Sequence, residues 1–160
     1  MPTELSLETV SDVRVRGAFA YWNQARGGRP MPARSDIDPL DLRFCLGWIC
    51  LIDVEYTPCP RFRFRLDGSR LAELTGFDLT GKYSDQIESE EYRKMSSFVY
   101  GRVVETKAPI FFGNKEDWLK RGFYMESVVL PLSEHAREVT GLMEVVCPAQ
   151  TLTRADLETH

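Results

Sequence analysis

The sequence is poor in the side chains that most metal and redox chemistry uses. It has only two histidines, His135 and His160, and four cysteines, Cys45, Cys50, Cys59 and Cys147, none of them in CxxC spacing. Zinc sites draw on thiolate and imidazole ligands paired close in sequence, so no zinc site is expected. A disulfide framework is not needed either, because 160 residues suffice to bury a core. Cys45 and Cys50, set among apolar neighbours, read as small buried hydrophobes. No apolar run approaches membrane-spanning length, and the N-terminus lacks the basic-then-apolar pattern of a secretory signal. No membrane partner is expected, and the location is expected to be cytoplasmic. Basic excess is missing too: the net charge is -4, with both signs mixed along the chain. Nucleic-acid binding, which needs a basic patch against phosphates, is not expected.

What is present is an α+β alternation. Residues 1–10 form a polar lead-in. Ser11-Asp12 caps a helix running to about Arg26, and Gly27-Gly28 ends it. Within it Val15, Phe19 and Trp22 make one apolar stripe, which packs on the domain itself or against a second copy. Pro30, Pro32 and Pro39 hold the following connector extended. Asp38-Pro39 starts a short helix whose expected buried face is Leu42, Cys45 and Leu46. Arg29, Arg34 and Arg43 crowd Asp36, Asp38 and Asp41. They read either as salt bridges and caps or as an arginine-lined anion site.

Trp48–Val54 is an apolar strand, and RFRFRL (61–66) is a strand of strict alternation, with Phe62, Phe64 and Leu66 inward. Short helical pieces follow, then a long helix over Glu90–Lys107 with Tyr92, Met95, Val99 and Val103 on one face. Three strands close the pattern: Ile110–Gly113, Phe123–Leu132 and Val139–Val146. A turn is expected at 114–117, and a polar tail covers 148–160.

Catalytic patterns are weak. Gly76-Phe-Asp-Leu-Thr-Gly81-Lys82 matches the first seven positions of a phosphate-binding loop, but Tyr83 stands where a Ser or Thr must sit. Neither histidine is placed to activate a serine or cysteine. Glu126 is the most interesting single acid, lying mid-strand between apolar neighbours. Buried, it would grip a ligand amine or hydroxyl; exposed, it would simply alternate to solvent.

Two strands, short helices, one long helix and three strands is the order of a PAS domain. The run RGGRPMPARSDIDPLDLR, an apolar strand ending in Asp-Val, RFRFRLDGSRL and GFDLTGK together resemble the stand-alone bacterial PAS family found chiefly in alphaproteobacteria. The likeness spans about Phe19–Val146, with MPARSDIDP its most specific part. It implies a five-stranded antiparallel sheet of order 2-1-5-4-3, with helices over one face and an extra N-terminal helix. The single PAS domain would occupy residues 28–147, after the N-terminal helix at 11–27.

The resemblance also implies a sensory or regulatory module without its own output domain. It would act by contact with a signalling protein, such as a sensor kinase or another regulator. The apolar stripe of Val15, Phe19 and Trp22, where it is not covered by the domain itself, is the expected homodimer interface. The implied pocket, open to an unknown small metabolite, is lined by Phe62, Phe64, Leu66, Met95, Val99, Phe112, Glu126, Val128 and Met143. Haem and flavin are not expected: the long helix has no His, and Cys59-Pro60-Arg61-Phe62 opens a strand where a flavin-type cysteine needs a helix. Two other readings stand beside this one. The first is an enzyme using the same cavity, with Glu126 and Tyr100 or Tyr124 as its acid–base pair. The second is a structural dimerisation module.

Overall fold

A computed structural model of the chain describes residues 2–116 and 123–149. Asp12 caps helix α1 (Val13–Arg26), its carboxylate accepting from the Arg14 and Val15 N–H groups, and Gly27 leaves the helix at a φ of 57° that favours glycine. Strands β2 (Ile49–Tyr56) and β3 (Pro60–Leu66) form the expected hairpin. Helix α2 (Ser69–Thr75) and helix α3 (Glu90–Thr106) follow, then β4 (Ile110–Glu116), β5 (Phe123–Leu132) and β6 (Gly141–Pro148). The turn expected at 114–117 is absent over 114–116, because β4 continues there in register with β5; Asp117 lies outside the described residues. The polar tail beyond residue 149 also lies outside them.

All strands among the described residues join one antiparallel sheet, β1-β4-β5-β6-β2-β3. Setting β1 aside, this is the expected order 2-1-5-4-3 read from the other edge. The sixth strand, β1 (Thr3–Leu5), falls in what reads as the polar lead-in. Its pairing with Phe111–Gly113 is made by backbone, so an edge strand needs no apolar alternation to form.

Cross-strand register sorts the side chains into two faces, since directly opposed residues share a face. One face carries Cys50, Ile52, Phe62, Phe64, Phe112, Val129, Leu142 and Glu144. Helix α3 covers it: the Tyr100 ring lies 5.3 Å from Phe62, and its hydroxyl donates to Glu144 at 2.7 Å. The other face carries Phe111, Glu126, Val128, Leu130, Met143, Val145 and Cys147. The extra helix, α1, covers this one, with Phe19 5.3 Å from Phe111 and the Trp22 indole N–H donating to the Pro131 carbonyl at 2.8 Å.

Between α1 and β2 the chain forms a strap. Met31 and Ile37 are buried, Ser133 N–H donates to Pro32 O, and Arg29 pairs with Asp36 at 2.8 Å. The remaining charges are spent locally: Asp38 caps the next segment, Asp41 accepts from Tyr21, and Arg43 donates to Leu40 O. The crowding of Arg and Asp is therefore the wiring of the strap. Pro39–Trp48 is 3₁₀ in character, so its inward residues follow a period of three, and Leu42 and Cys45 are buried while Leu46 is 52% exposed. Cys50 is also buried, as its neighbours suggest.

Candidate functional site

The nine residues expected to line one pocket divide between two faces and an edge. Phe62, Phe64, Met95, Val99 and Phe112 are all buried between α3 and the sheet, but Phe112 on β4 and the two phenylalanines on β3 stand four strands apart. They are packed core. Glu126, Val128 and Met143 lie on the α1 face and cannot share a cavity with them. Leu66 is 44% exposed because the β2–β3 register shifts between Leu51 and Ile52. That irregularity inserts Arg65 as an extra residue and turns Leu66 away from the row of Phe62 and Phe64.

Glu126 is buried, and it grips the protein rather than a ligand. Its carboxylate accepts from the Ser11 N–H at 2.9 Å, the Ser11 hydroxyl and the Asp12 N–H at 3.1 Å, anchoring the start of α1. Tyr124 shares its face, whereas Tyr100 lies across the sheet, so the pair Glu126–Tyr100 does not exist. Glu126→Ala is expected to lower stability by about 1–3 kcal/mol, the cost of leaving buried donors unpaired. Hydrogen exchange should then speed up at Ser11 and Asp12 first. Val15 and Trp22, at 0% and 3% exposure, cover the protein's own sheet together with Phe19. They are not an open surface for a second copy.

The acid that faces α3 is Glu144, on β6, whose only signal in the sequence is its mid-strand position, shared with Glu126. It accepts from Tyr100 and sits directly opposite Cys50 on β2. The Cys50 thiol in turn donates to Asp67 at 3.3 Å, and the second Asp67 oxygen accepts from the Leu79 N–H at 3.0 Å. Burial pushes Tyr100 and Cys50 well above their ordinary pKa values, and the nearby Glu144 charge adds to both. Asp67 is also raised, chiefly by burial, with the Leu79 N–H and the Cys50 thiol acting against it.

Beside this buried row is a cavity of about 550 Å³ lined by Phe77, Leu79, Lys82, Gln86, Ile87, Glu88, Ser89 and Tyr92. The loop after α2 forms one wall and the start of α3 the other. The loop's amides are already committed: Thr80 N–H goes to Asp78, Gly81 N–H to Phe64 O, and Lys82 N–H to Leu79 O. The near-match to a phosphate-binding loop is therefore a wall with no free amide cradle, preceded by a helix instead of a strand. A groove of about 670 Å³ along β3 is larger. Its cations are engaged, however: Arg61 with Asp85, Lys94 with Glu90, and Arg93 with the Ile87 and Glu88 carbonyls. In sequence, the cavity's signal is the pair of glycines around Phe77–Thr80, followed by a lone apolar Ile87 just before the Ser89 cap of the long helix.

A family model described as "PAS domain" matches residues 11–144. The chain belongs to the PAS domain family. PAS domains are sensory modules, which sets the class of function here. A comparison with curated proteins found no match. One solved structure, presented as "Flavin Analogue Sheds Light on Light-Oxygen-Voltage Domain Mechanism", resembles the chain at a TM-score of 0.44 and 15% identity, over 69% of this chain and 84% of that one. Among the described residues of this PAS domain no group of three or more His, Cys, Asp or Glu is placed to hold a metal ion. No helix among them is long and apolar enough to cross a membrane.

Proposed function

We propose that this PAS domain senses a small amphipathic molecule in the cavity between the Phe77–Lys82 loop and the start of α3, and reports its state by contact with a separate signalling protein. The observation that supports it is the cavity's lining. Phe77, Leu79, Ile87 and Tyr92 offer an apolar interior, and Lys82, Gln86, Glu88 and Ser89 a polar rim. A volume of about 550 Å³ falls within the range of small-molecule sites. The resemblance of the strap sequence to that of PAS proteins that act through partners supports an output carried by another protein. Native mass spectrometry of the purified protein and a thermal-shift screen of small amphipathic metabolites test the reading. A retained or stabilising compound supports it, and a protein that carries nothing and responds to nothing overturns it.

A further inference from the structure

Asp67 stands where three parts of the chain meet: the cavity-wall loop, the start of β2 and the end of the strap. Its carboxylate has one oxygen on each of two of them: Oδ2 accepts from the Leu79 N–H in the cavity wall, and Oδ1 accepts from the Cys50 thiol at the start of β2. Its own N–H donates to the Thr80 hydroxyl at 3.1 Å, a second tie to the same wall. The next residue, Gly68, is pressed against the end of the strap. A β-carbon built there would collide with the Gly47 carbonyl oxygen and lie 3.0 Å from the Ile49 nitrogen, a closeness that only glycine permits. Cys50 then leads to Glu144 across β6, and Glu144 to Tyr100 on α3, the helix that forms the cavity's opposite wall. The two walls of the cavity are thus linked across the sheet by a row of buried polar side chains, bonded at each end and juxtaposed at the Cys50–Glu144 pair by strand register.

We infer that Asp67 is a latch coupling the cavity wall to the strap, so that displacement of the Phe77–Lys82 loop loosens Gly47–Cys50, and the reverse. The inference rests on the cavity being the sensing site, and it assigns how that site's state reaches the α1 side of the sheet. A carboxylate divided between two segments ties the position of each to that of the other. If the loop moves and takes Leu79 N–H with it, Asp67 loses the donor that keeps its buried oxygen satisfied. Its remaining bond to the thiol is a weak one. Buried carboxylates are costly when half-satisfied, so the corner does not rest at an intermediate position.

Hydrogen exchange on the full chain without added ligand tests the latch separately from the sensing claim. Cys50→Ala removes only the arm to the start of β2, where the strap ends, leaving the Leu79 bond untouched. The latch predicts exchange at Leu79, Gly81 and Lys82 faster by about tenfold or more, as expected for a cooperative local opening. Asp67→Ala should accelerate the loop and residues 47–50 together. Asp67→Asn, whose amide oxygen can still accept from Leu79, should keep the loop near the wild-type rate. If the change in Cys50→Ala stays within residues 49–52, or spreads equally over β4 and β5 as a general loss of stability, the latch is wrong. A protein that shows the coupled opening but binds nothing in the metabolite screen keeps the latch and loses the sensor.

Discussion

Trp22→Ala is expected to destabilise the protein by about 3–5 kcal/mol, the range for removing a large aromatic from a core. Trp22 is 3% exposed, stacks on Phe19 at 6.1 Å, and carries the Arg26 guanidinium over its ring at 5.6 Å. Its indole N–H also satisfies the Pro131 carbonyl. Truncation leaves a cavity between α1 and β5 and an unpaired buried acceptor, so both terms act in the same direction. For a chain of this size the melting temperature should fall by roughly 10 °C. A fall below about 2 °C at unchanged monomer mass would contradict the placement of α1 on its own sheet. A change in mass with little change in melting would point instead to a role between copies.

The second large effect is alkaline. Burial pushes Cys45 up to about 11 and Cys147 up to about 12, and raises Cys50 and Tyr100 well above their ordinary values. Each of these groups is neutral when protonated and is held so by the fold. Above pH 9 the unfolded chain releases thiol protons that the folded chain keeps. Stability is therefore complete below pH 9 and falls as pH rises towards the folded values. Each thiol contributes about 1.4 kcal/mol per pH unit, and Tyr100 joins above pH 10. Urea midpoints at pH 8, 9, 10 and 10.5 should decline with increasing steepness. Cys147→Val, which keeps the volume roughly constant, should reduce the slope between pH 9 and 10.5. A flat profile across that range would show that these thiols are open to solvent.

Legibility in the sequence follows how much each feature depends on local chemistry. The Asp12 cap, the Gly27 stop, the Asp38-Pro39 start and the α3 stripe are local, and each stands where it was expected. The sheet order came with the resemblance, through the strap and the RFRFRL strand. The pocket was less legible because alternation along a strand identifies two faces without saying which helix covers which. Alternation alone allows Glu126, Val128 and Met143 to share a pocket with the α3 residues, and register places them under α1. Leu66 was misplaced by a one-residue irregularity that period-two reading does not register. Glu126 and Glu144 look alike in sequence, both mid-strand acids that follow a methionine. Only pairing across the sheet separates the one that anchors α1 from the one that meets Tyr100. The cavity wall was visible only as a failed phosphate-loop match, because its lining residues are spaced by loop geometry and have no period.

The central claim is that the space between the Phe77–Lys82 loop and α3 is where this PAS domain receives its signal. The direct measurement is a pair of binding isotherms, for wild type and Leu79→Trp, with the compound that most stabilises the wild-type protein. Leu79 is 7% exposed and forms part of the wall, so tryptophan there fills the cavity from one side. The account predicts affinity weakened by about tenfold or more, equivalent to about 1.4 kcal/mol, with folding retained by circular dichroism. Unchanged affinity in a folded Leu79→Trp protein would place the ligand elsewhere and contradict it.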